Sequence, residues 1–203
     1  MSEPTPTRLP LVYVASDGRQ DWEPPSALEA GLLLRDTDLP ALIHRASQSG
    51  PPLAVDIDTV SGLDDDQVAV AFVVQRLGIE VVLTRRPQLA AGAAALGGIG
   101  LLQVLAFDST GLLRALVAHP RQPRVGTAMS PGLVLAHLLP EELGRLPRPI
   151  LAYGLIHTPE AVATILARVD SVVVRPRVAE LMVPEPAIAV VGYRRSAAGP
   201  ATS

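Results

Sequence analysis

Residues 53–84 read LAVDIDTVSGLDDDQVAVAFVVQRLGIEVVLT and contain one complete unit of strand, helix and strand. Two short apolar runs, Leu53–Ile57 and Glu80–Thr84, have the length of buried strands. The segment between them, Asp64–Gly78, has the apolar period of a helix. Near-continuous apolar strands are typical of a parallel sheet that is covered by helices. This stretch therefore predicts an α/β fold.

The same alternation of strand and helix continues along the chain. Six further strands are predicted, at Leu11–Ala15, Gly31–Arg35, Leu101–Ala106, Arg124–Ala128, Ile150–Ala152 and Ser171–Val174. Five further helices are predicted, at Leu39–Ser49, Gln88–Leu96, Gly111–His119, Gly132–Glu142 and Pro159–Arg168. Eight strands in a chain of this length favour a compact TIM-like (β/α) barrel over an open sheet. Residues 17–30 have room for little more than one or two helical turns, so we expect a shortened first crossover.

The domain organisation follows from length and composition. A chain of 203 residues is long enough for one sizeable core and short for two domains. We predict a flexible N-terminus over residues 1–10, a single barrel domain over 11–183, and a Pro/Ala/Gly-rich tail over 184–203. Within that tail, Ile188–Gly192 could add an edge strand, and Ser196–Ser203 is expected to be disordered.

Composition excludes several classes of function. The chain has no Cys, which rules out disulfides, thiolate nucleophiles and zinc-thiolate sites. It has no Lys either, which rules out Schiff-base chemistry and the lysine-containing phosphate loop. A net charge of −3 with 3% aromatic residues differs from the usual nucleic-acid binder, so any RNA contact is expected to be local.

The sequence also bears on location. No apolar run approaches the length of a membrane span, and residues 1–10 lack the pattern of a signal peptide. We therefore expect a cytoplasmic protein with no membrane partner. The high apolar content, at 48% of residues, is compatible with a homo-oligomer.

Two carboxylates mark the end of the third predicted strand. Asp56 and Asp58 are two residues apart in an apolar run, which predicts that both side chains lie on one face of the strand. Burying them is costly unless they contact a ligand, a metal or an arginine. They could hold a divalent cation, act as acid and base, or pair with Arg and close the barrel end; no cofactor beyond that cation is expected.

Functional residues of parallel barrels lie where the strands end. Arg85 follows the fourth strand directly and is expected to point its guanidinium at a carboxylate or phosphate. Arg175 follows the last strand, where phosphate is often held, although a rim charge is an equal alternative. The other candidates at strand ends are Asp36, Gln103, Asp108, Ser130 and His157. Asp36 and Asp108 have a second interpretation as helix caps or turn formers, and His157 is only a weak candidate base.

No complete catalytic motif appears among these residues. The chain has no Ser, His and Asp order of a hydrolase, no metal-ligand spacing and no phosphate-cradling glycine loop; Gly97–Gly100 precedes a strand. We therefore expect a protein that is not an enzyme.

The strand ends carry a family resemblance. From about Gly31 to Arg175 the chain resembles the glycerol-3-phosphate-responsive antiterminator family and is identified as a divergent member of it. The resemblance rests on five segments in order: Val55–Leu63 with Asp66, Leu83–Arg85, Phe107–Ser109, Ser130–Gly132 and Ala152–Thr158.

The resemblance implies a small barrel that binds glycerol 3-phosphate, or a related small anion, and then the leader of the glycerol-utilisation messenger RNA, which prevents termination. Asp58, Arg85, Asp108, Pro131, Gly132 and Gly154 match family positions. Six residues depart from the family pattern: Asp56, Gln103, Ala128, Tyr153, His157 and Arg175. Tyr153 replaces the first of two glycines, and a side chain there blocks the close approach of a phosphate to backbone N–H groups.

The leading hypothesis is therefore a ligand-responsive transcription antiterminator of glycerol uptake and metabolism genes that acts through RNA. Its ligand-binding residues are predicted to be Asp56, Asp58, Arg85, Gln103, Asp108, Gly132, Gly154, His157 and Arg175. Its RNA-binding candidates are Arg86, Arg121, Arg124 and Arg177, with Arg194 and Arg195 in the tail. The alternatives are a small barrel enzyme or metabolite-binding protein for a phosphorylated or carboxylated compound, and a dimer whose site is plugged by Tyr153 and Arg175.

Overall fold

The structure is a computed structural model that describes residues 9–19, 23–106 and 108–183. Eight parallel strands form a closed barrel in which each strand pairs with the next and the last pairs with the first. The strands are β1 Val12–Ser16, β2 Ala30–Leu34, β3 Leu53–Asp56, β4 Val81–Thr84, β5 Ile99–Leu105, β6 Val125–Ser130, β7 Ile150–Ala152 and β8 Ser171–Val174. The predicted fold class is confirmed, with all eight strands at the predicted places.

Side-chain alternation divides the core into two layers. Residues such as Leu33, Ala54, Val81 and Leu101 point into the barrel, and their neighbours along each strand pack outward against the helices. Leu9 also belongs to the interior cluster, so the core takes in a residue that precedes the predicted domain start. The proposed tail, including Ile188–Gly192, lies outside the described residues.

The first crossover is short, as predicted. In its described parts, residues 17–19 and 23–29, the link from β1 to β2 contains no helix. The helices of the described chain are α1 Leu39–Ser47, α2 Gln67–Ala71, α3 Pro87–Ala95, α4 Ser109–Ala118, α5 Pro140–Leu143, α6 Pro159–Leu166 and α7 Pro176–Leu181. The longest has ten residues, and none in the described part could cross a membrane.

Two predicted helices differ from the structure. The helix predicted over Asp64–Gly78 begins only at Gln67, because the Asp66 side chain accepts a hydrogen bond from the Ala69 N–H and caps it. It continues beyond α2 as a π-helical segment over Phe72–Arg76. The single helix predicted over Gly132–Glu142 is wrong: a 3-10 helix at Gly132–Ala136 is separated from α5. Pro140 disfavours helical geometry at the residue before it, which explains the break.

Two short helices were not predicted. A 3-10 helix at Ile57–Thr59 follows β3 directly, so the strand ends at Asp56, one residue earlier than expected. Helix α7 follows β8 and begins with Pro176 at its first position, a placement that proline favours. Both helices lie at the carboxyl end of the barrel, the end at which the strands terminate, and both shape the site described next.

One close approach defines the opposite, amino end of the barrel. The Tyr13 ring lies across β2 at Gly31, where an added Cβ would come 2.5 Å from Cε1 of the ring and 2.8 Å from the Pro52 carbonyl oxygen. Only a residue without a side chain leaves this space, so Gly31 is required by packing. Tyr13 is thereby held inside the barrel with its side chain almost wholly buried.

Candidate functional site at the carboxyl end of the barrel

A chain of three polar side chains crosses the interior at the carboxyl end. The Gln103 amide donates from Nε2 to the Asp56 carboxylate at 2.6 Å, and its Oε1 accepts a hydrogen bond from the Tyr153 hydroxyl at 3.0 Å. Strand alternation turns Asp56 and Gln103 inward, since each is two residues beyond an interior position, Ala54 and Leu101 respectively. These contacts close the centre of the barrel.

Burial governs the acid–base behaviour of this chain. Asp56 is only 2% exposed, and its burial raises the pKa of its carboxyl to about 6, although Arg35 and the Gln103 amide act in the opposite direction. Burial likewise raises the pKa of Tyr153 to about 12. Tyr153 therefore remains a neutral donor at physiological pH, whereas Asp56 changes its charge near pH 6.

Asp58 has different partners from Asp56. The expectation that both carboxylates share one strand face is wrong, because the chain turns into the 3-10 helix after Asp56. The Asp58 carboxylate accepts hydrogen bonds from the Thr84 hydroxyl at 2.8 Å and from the Arg85 backbone N–H at 2.6 Å. It also pairs with Arg85 Nε at 3.2 Å. Asp58 thus ties β3 to the end of β4.

The pairing fixes Arg85 without burying it. The Arg85 side chain is 64% exposed, whereas that of Asp58 is 4% exposed. The carboxylate holds the near end of the guanidinium, and the rest faces solvent at the rim. Arg85 therefore lies where the sequence predicted an anion clamp, but it already has a carboxylate partner.

An open cavity lies beside the closed centre, where β8, β1 and β2 end. It has a volume of about 550 Å³ and is lined by Ser16, Asp17, Arg35, Asp36, Arg175 and Glu180, together with small apolar groups. In the described ranges, Arg175 forms no ion pair. Arg35 pairs with Asp36 at 3.1 Å. Two guanidinium groups and several oxygen acceptors therefore meet in one cavity.

Arg35 connects this cavity to the closed centre. Its guanidinium carbon lies 6.0 Å from the centroid of the Tyr153 ring, within the range of a cation–π contact. Asp36, the next residue, has a φ of 52° and donates its backbone N–H to the Thr59 hydroxyl at 2.9 Å. The residue that caps α1 is Asp38, whose carboxylate accepts from the Ala41 N–H at 2.9 Å, so the interpretation of Asp36 as the cap is wrong. Asp36 is thereby left at the cavity.

The two predicted glycines lie at the ends of β6 and β7. The Gly132 N–H donates to the carbonyl oxygens of Tyr153 and Gly154 at 2.6 and 3.0 Å, so this N–H is already used inside the protein. Gly154 has a φ of 80°, the left-handed conformation that favours glycine. These contacts join the two strand ends and direct the Tyr153 side chain toward Gln103.

The remaining predicted ligand residues lie farther around the rim. Asp108 caps α4, accepting the Gly111 N–H at 2.6 Å, which is the capping interpretation of this residue. His157 is exposed in the link between β7 and α6, one residue before the cap Thr158. The structure thus brings Asp56, Gln103 and Tyr153 together, places Arg175 beside Arg35, and leaves Asp108 and His157 outside both groups.

The predicted RNA-binding arginines do not lie on one face. Arg86 and Arg177 follow β4 and β8 at the carboxyl end, whereas Arg121 and Arg124 precede β6 at the amino end. Arg86 forms an ion pair with Asp65, and Arg124 Nε donates to the Gly98 carbonyl oxygen at 2.9 Å. Arg194 and Arg195 lie outside the described residues.

The divalent cation suggested for Asp56 and Asp58 is not supported by their geometry, since the two carboxylates have separate protein partners. Among residues 9–19, 23–106 and 108–183, no three acidic or histidine side chains are grouped as metal ligands would be. The cation therefore stays a hypothesis for titration with magnesium.

Sequence reasoning missed Arg35 as a site residue. Arg35 was assigned to the end of the second strand, and its inward direction follows from the same alternation that turns Leu33 inward. A basic residue at an interior position just past a strand was the available signal. The alternative of a plugged site requires both Tyr153 and Arg175 to fill it; Tyr153 does fill the centre, whereas Arg175 lines the open cavity.

Comparisons with known proteins give a consistent result. The family model described as "Glycerol-3-phosphate responsive antiterminator" matches residues 28–175, well over half of the chain. No curated protein matches the sequence significantly.

Solved structures show the same fold. A glycerol uptake operon antiterminator-related protein from Thermotoga maritima is 20% identical, with a TM-score of 0.64 over 83% of this chain and 97% of that one. A glycerol uptake operon antiterminator regulatory protein from Listeria monocytogenes is 18% identical, with a TM-score of 0.67 over 82% and 95%. An aldolase is 14% identical, with a TM-score of 0.54 over 74% and 80%.

Proposed function

The chain belongs to the glycerol-3-phosphate responsive antiterminator family, and we propose that it binds glycerol 3-phosphate, or a closely related small anion, in the cavity between Arg35 and Arg175. The observation that carries this proposal is the Arg175 guanidinium, which forms no ion pair with a described residue and shares an open cavity with Arg35 beside a closed barrel centre. Guanidinium groups bind phosphate oxygens through paired hydrogen bonds.

The other lining groups suit the polyol part of such a ligand. Ser16, Asp17 and Asp36 present hydroxyl and carboxylate oxygens to the same cavity. Carboxylates accept hydrogen bonds from hydroxyl groups, so the glycerol hydroxyls have acceptors on the side away from the phosphate. The cavity, at about 550 Å³, lies within the usual size range of small-molecule sites.

The substituted family positions explain why the ligand would lie here. Tyr153, Gln103 and Asp56 occupy the barrel centre and satisfy one another. A phosphate placed there would have to break these hydrogen bonds between buried groups, which costs free energy. The Arg175 guanidinium, at the end of β8, supplies positive charge outside that centre.

We further propose that the carboxyl end of the barrel is the face that contacts leader RNA, and that the protein works in the cytoplasm. Arg85 and Arg86 follow β4 and Arg177 lies in α7, at the same end of the barrel as the proposed ligand cavity. Ligand and RNA would then share one face, and the ligand would favour RNA binding by ordering side chains of that face, since its negative charge alone would weaken contacts with RNA phosphates. Arg121 and Arg124 lie at the far end and contribute less in this arrangement.

Ligand-dependent binding of RNA tests this function. The leader transcript of the glycerol-uptake genes is titrated with protein in a mobility-shift assay, without ligand, with glycerol 3-phosphate, and with glycerol or inorganic phosphate. We expect retention of the transcript only with glycerol 3-phosphate, and weaker retention for Arg86→Ala and Arg177→Ala than for Arg121→Ala. Equal retention under all ligand conditions would contradict the proposal.

The enzyme alternative receives less support from the geometry. Asp56, whose pKa of about 6 suits a general base, is nearly fully buried and bonded to Gln103. Asp58 is engaged by Thr84 and Arg85. A catalytic carboxylate needs access to its substrate, and neither Asp56 nor Asp58 is among the described residues that line the cavity.

A further inference from the structure

A second, larger cavity lies at the amino end of the barrel. It has a volume of about 790 Å³ and is formed where β1, β2, β3 and β4 begin. Its walls are mainly aliphatic, from Leu9, Leu28, Leu53 and Val81. The cavity is thus at the opposite end of the barrel from Arg35 and Arg175, and the proposed function makes no use of it.

One buried polar group in this cavity lacks a partner. Tyr13 lines the cavity, and its hydroxyl forms no hydrogen bond with any described residue. The Tyr13 side chain is held in place by the close approach to Gly31 and cannot rotate freely to find another partner. Buried hydroxyl groups are usually hydrogen-bonded, because leaving one unpaired costs free energy that water would otherwise supply. An unpaired, buried hydroxyl on a residue that lines a cavity therefore points to a ligand that reaches it from the cavity.

The charges around the cavity select the kind of ligand. Glu29 and Glu80 line it, and no basic residue does so in the described ranges. The Glu80 carboxylate is close enough to Tyr13 to add to the effect of burial in raising the pKa of the tyrosine. A ligand with a positive group would neutralise this acidic edge, whereas an anion would be repelled.

We propose that this cavity binds a small amphiphilic cation, with an apolar body against the aliphatic walls and a protonated amine near Glu80 and the Tyr13 hydroxyl. The aliphatic walls supply burial for a short alkyl chain. The amine donates hydrogen bonds to the tyrosine oxygen and to the Glu80 carboxylate. This site is independent of the glycerol 3-phosphate site and stands or falls separately.

Three probes of equal chain length test the proposal. The full-length protein is titrated with hexylammonium, 1-hexanol and hexanoate in a calorimeter at pH 7.5. We expect saturable binding of one hexylammonium per chain, weaker binding of hexanol, and the weakest binding of hexanoate. Equal affinities for the three probes, or no binding of hexylammonium, would overturn the proposal.

Variants then locate the bound amine. Glu80→Gln is expected to lower the affinity for hexylammonium about 2- to 5-fold, the usual scale of a partly exposed ion pair, and to bring it toward that of hexanol. Tyr13→Phe is expected to lower it about 5-fold by removing one hydrogen bond. Glu141→Gln, an exposed change on α5, is the matched control and should leave the affinity unchanged.

Two further outcomes would count against the site. An equal loss of hexylammonium affinity in Glu80→Gln and Glu141→Gln would mean that binding depends only on the overall charge of the protein. Dimerisation that excludes hexylammonium, detected by sedimentation, would mean that a second copy of the chain covers the cavity instead. Circular dichroism of each variant confirms that the barrel is folded before its affinity is compared.

Discussion

The Arg35 guanidinium lies over the Tyr153 ring, with its central carbon 6.0 Å from the ring centroid. Arg35 thereby belongs to both parts of the carboxyl end: it borders the closed centre and lines the open cavity. The family resemblance implies a glycine at the position of Tyr153; the Tyr153 ring fills the centre and also provides a surface on which Arg35 rests. The ligand site of this chain is therefore expected to lie beside the barrel axis.

The Asp56–Gln103–Tyr153 chain is expected to contribute to stability through hydrogen bonding. Gln103→Leu removes the donor to Asp56 and the acceptor for Tyr153 while keeping a similar volume. Leaving these buried groups unpaired should lower the free energy of unfolding by about 1–3 kcal/mol. Urea denaturation measures the loss, and Gln75→Leu, at an exposed position, serves as the control. Equal stability of the two variants would show that the hydrogen bonds between Asp56, Gln103 and Tyr153 do not stabilise the fold.

Asp56 should make the stability depend on pH. Its pKa is raised from 3.8 to about 6 in the folded protein, so the folded state binds more protons than the unfolded state between these values. The contribution of protonated Asp56 to the free energy of unfolding is fully present below about pH 4 and is lost as pH rises through 6. Asp56→Asn removes this group and keeps an oxygen that accepts from Gln103.

The test is the difference in unfolding free energy between Asp56→Asn and wild type. We expect the free energy of unfolding of Asp56→Asn, relative to that of wild type, to rise by up to about 3 kcal/mol between pH 4 and pH 8. The pKa shift sets this upper limit. The difference between variant and wild type is measured because other groups also contribute to the pH dependence. Burial lowers the pKa of His119, for example, and this group contributes stability that is lost as pH falls. A difference that is constant with pH would contradict the raised pKa.

Gly31 should tolerate no side chain. An added Cβ would approach the Tyr13 ring at 2.5 Å and the Pro52 carbonyl oxygen at 2.8 Å, and backbone atoms cannot move aside easily. Gly31→Ala is expected to cost about 1–3 kcal/mol, the usual range for overpacking. The unfolding temperature of Gly31→Ala is compared with that of Gly144→Ala. Gly144 lies at an exposed helix end, where an added Cβ would come no closer than 3.3 Å to another atom. If Gly31→Ala unfolded at the wild-type temperature, the described packing of Tyr13 would be wrong.

The barrel was predictable because its signal is repeated. Each strand such as Val81–Thr84 is a short apolar run, and each run is followed by a capped helix or turn, so eight weak local patterns support one topology. Helix boundaries were less predictable where local geometry competes. Pro140 divides one predicted helix, and the 3-10 turn at Ile57–Thr59 ends β3 early.

The position of the candidate side chains at the carboxyl end of the barrel could be predicted from the sequence, whereas their pairing could be predicted less well. Strand ends identified Asp56, Asp58, Arg85 and Arg175, but sequence spacing placed Asp56 and Asp58 on one face, and the turn after β3 separates their partners. The contact of Gln103 with Tyr153 joins residues 50 positions apart. Such pairs depend on how the barrel closes, and a local sequence pattern carries no information about long-range contacts.

An Arg85 variant distinguishes between two possible positions of the anion, at the end of β4 and between Arg35 and Arg175. The sequence predicts that Arg85→Ala abolishes binding of an anion, whereas the structure shows this guanidinium paired with Asp58 at the end of β4. With the ligand between Arg35 and Arg175, we expect Arg85→Ala to lower the affinity for glycerol 3-phosphate about 2- to 5-fold, as the loss of a screened, exposed charge does. Complete loss of binding in a folded Arg85→Ala protein would place the ligand at β4 instead.

The central claim is that Arg175 binds the anionic ligand, and calorimetric titration with glycerol 3-phosphate tests it most directly. Wild type, Arg175→Ala and Arg76→Ala are compared, with glycerol and inorganic phosphate as controls and with and without magnesium; Arg76 is exposed at the amino end of the barrel. We predict saturable binding by wild type and Arg76→Ala, and affinity reduced at least about 10-fold in Arg175→Ala, the scale of a lost charge-assisted hydrogen bond. Absence of binding by the wild type, or equal affinity in Arg175→Ala and Arg76→Ala, would contradict the account.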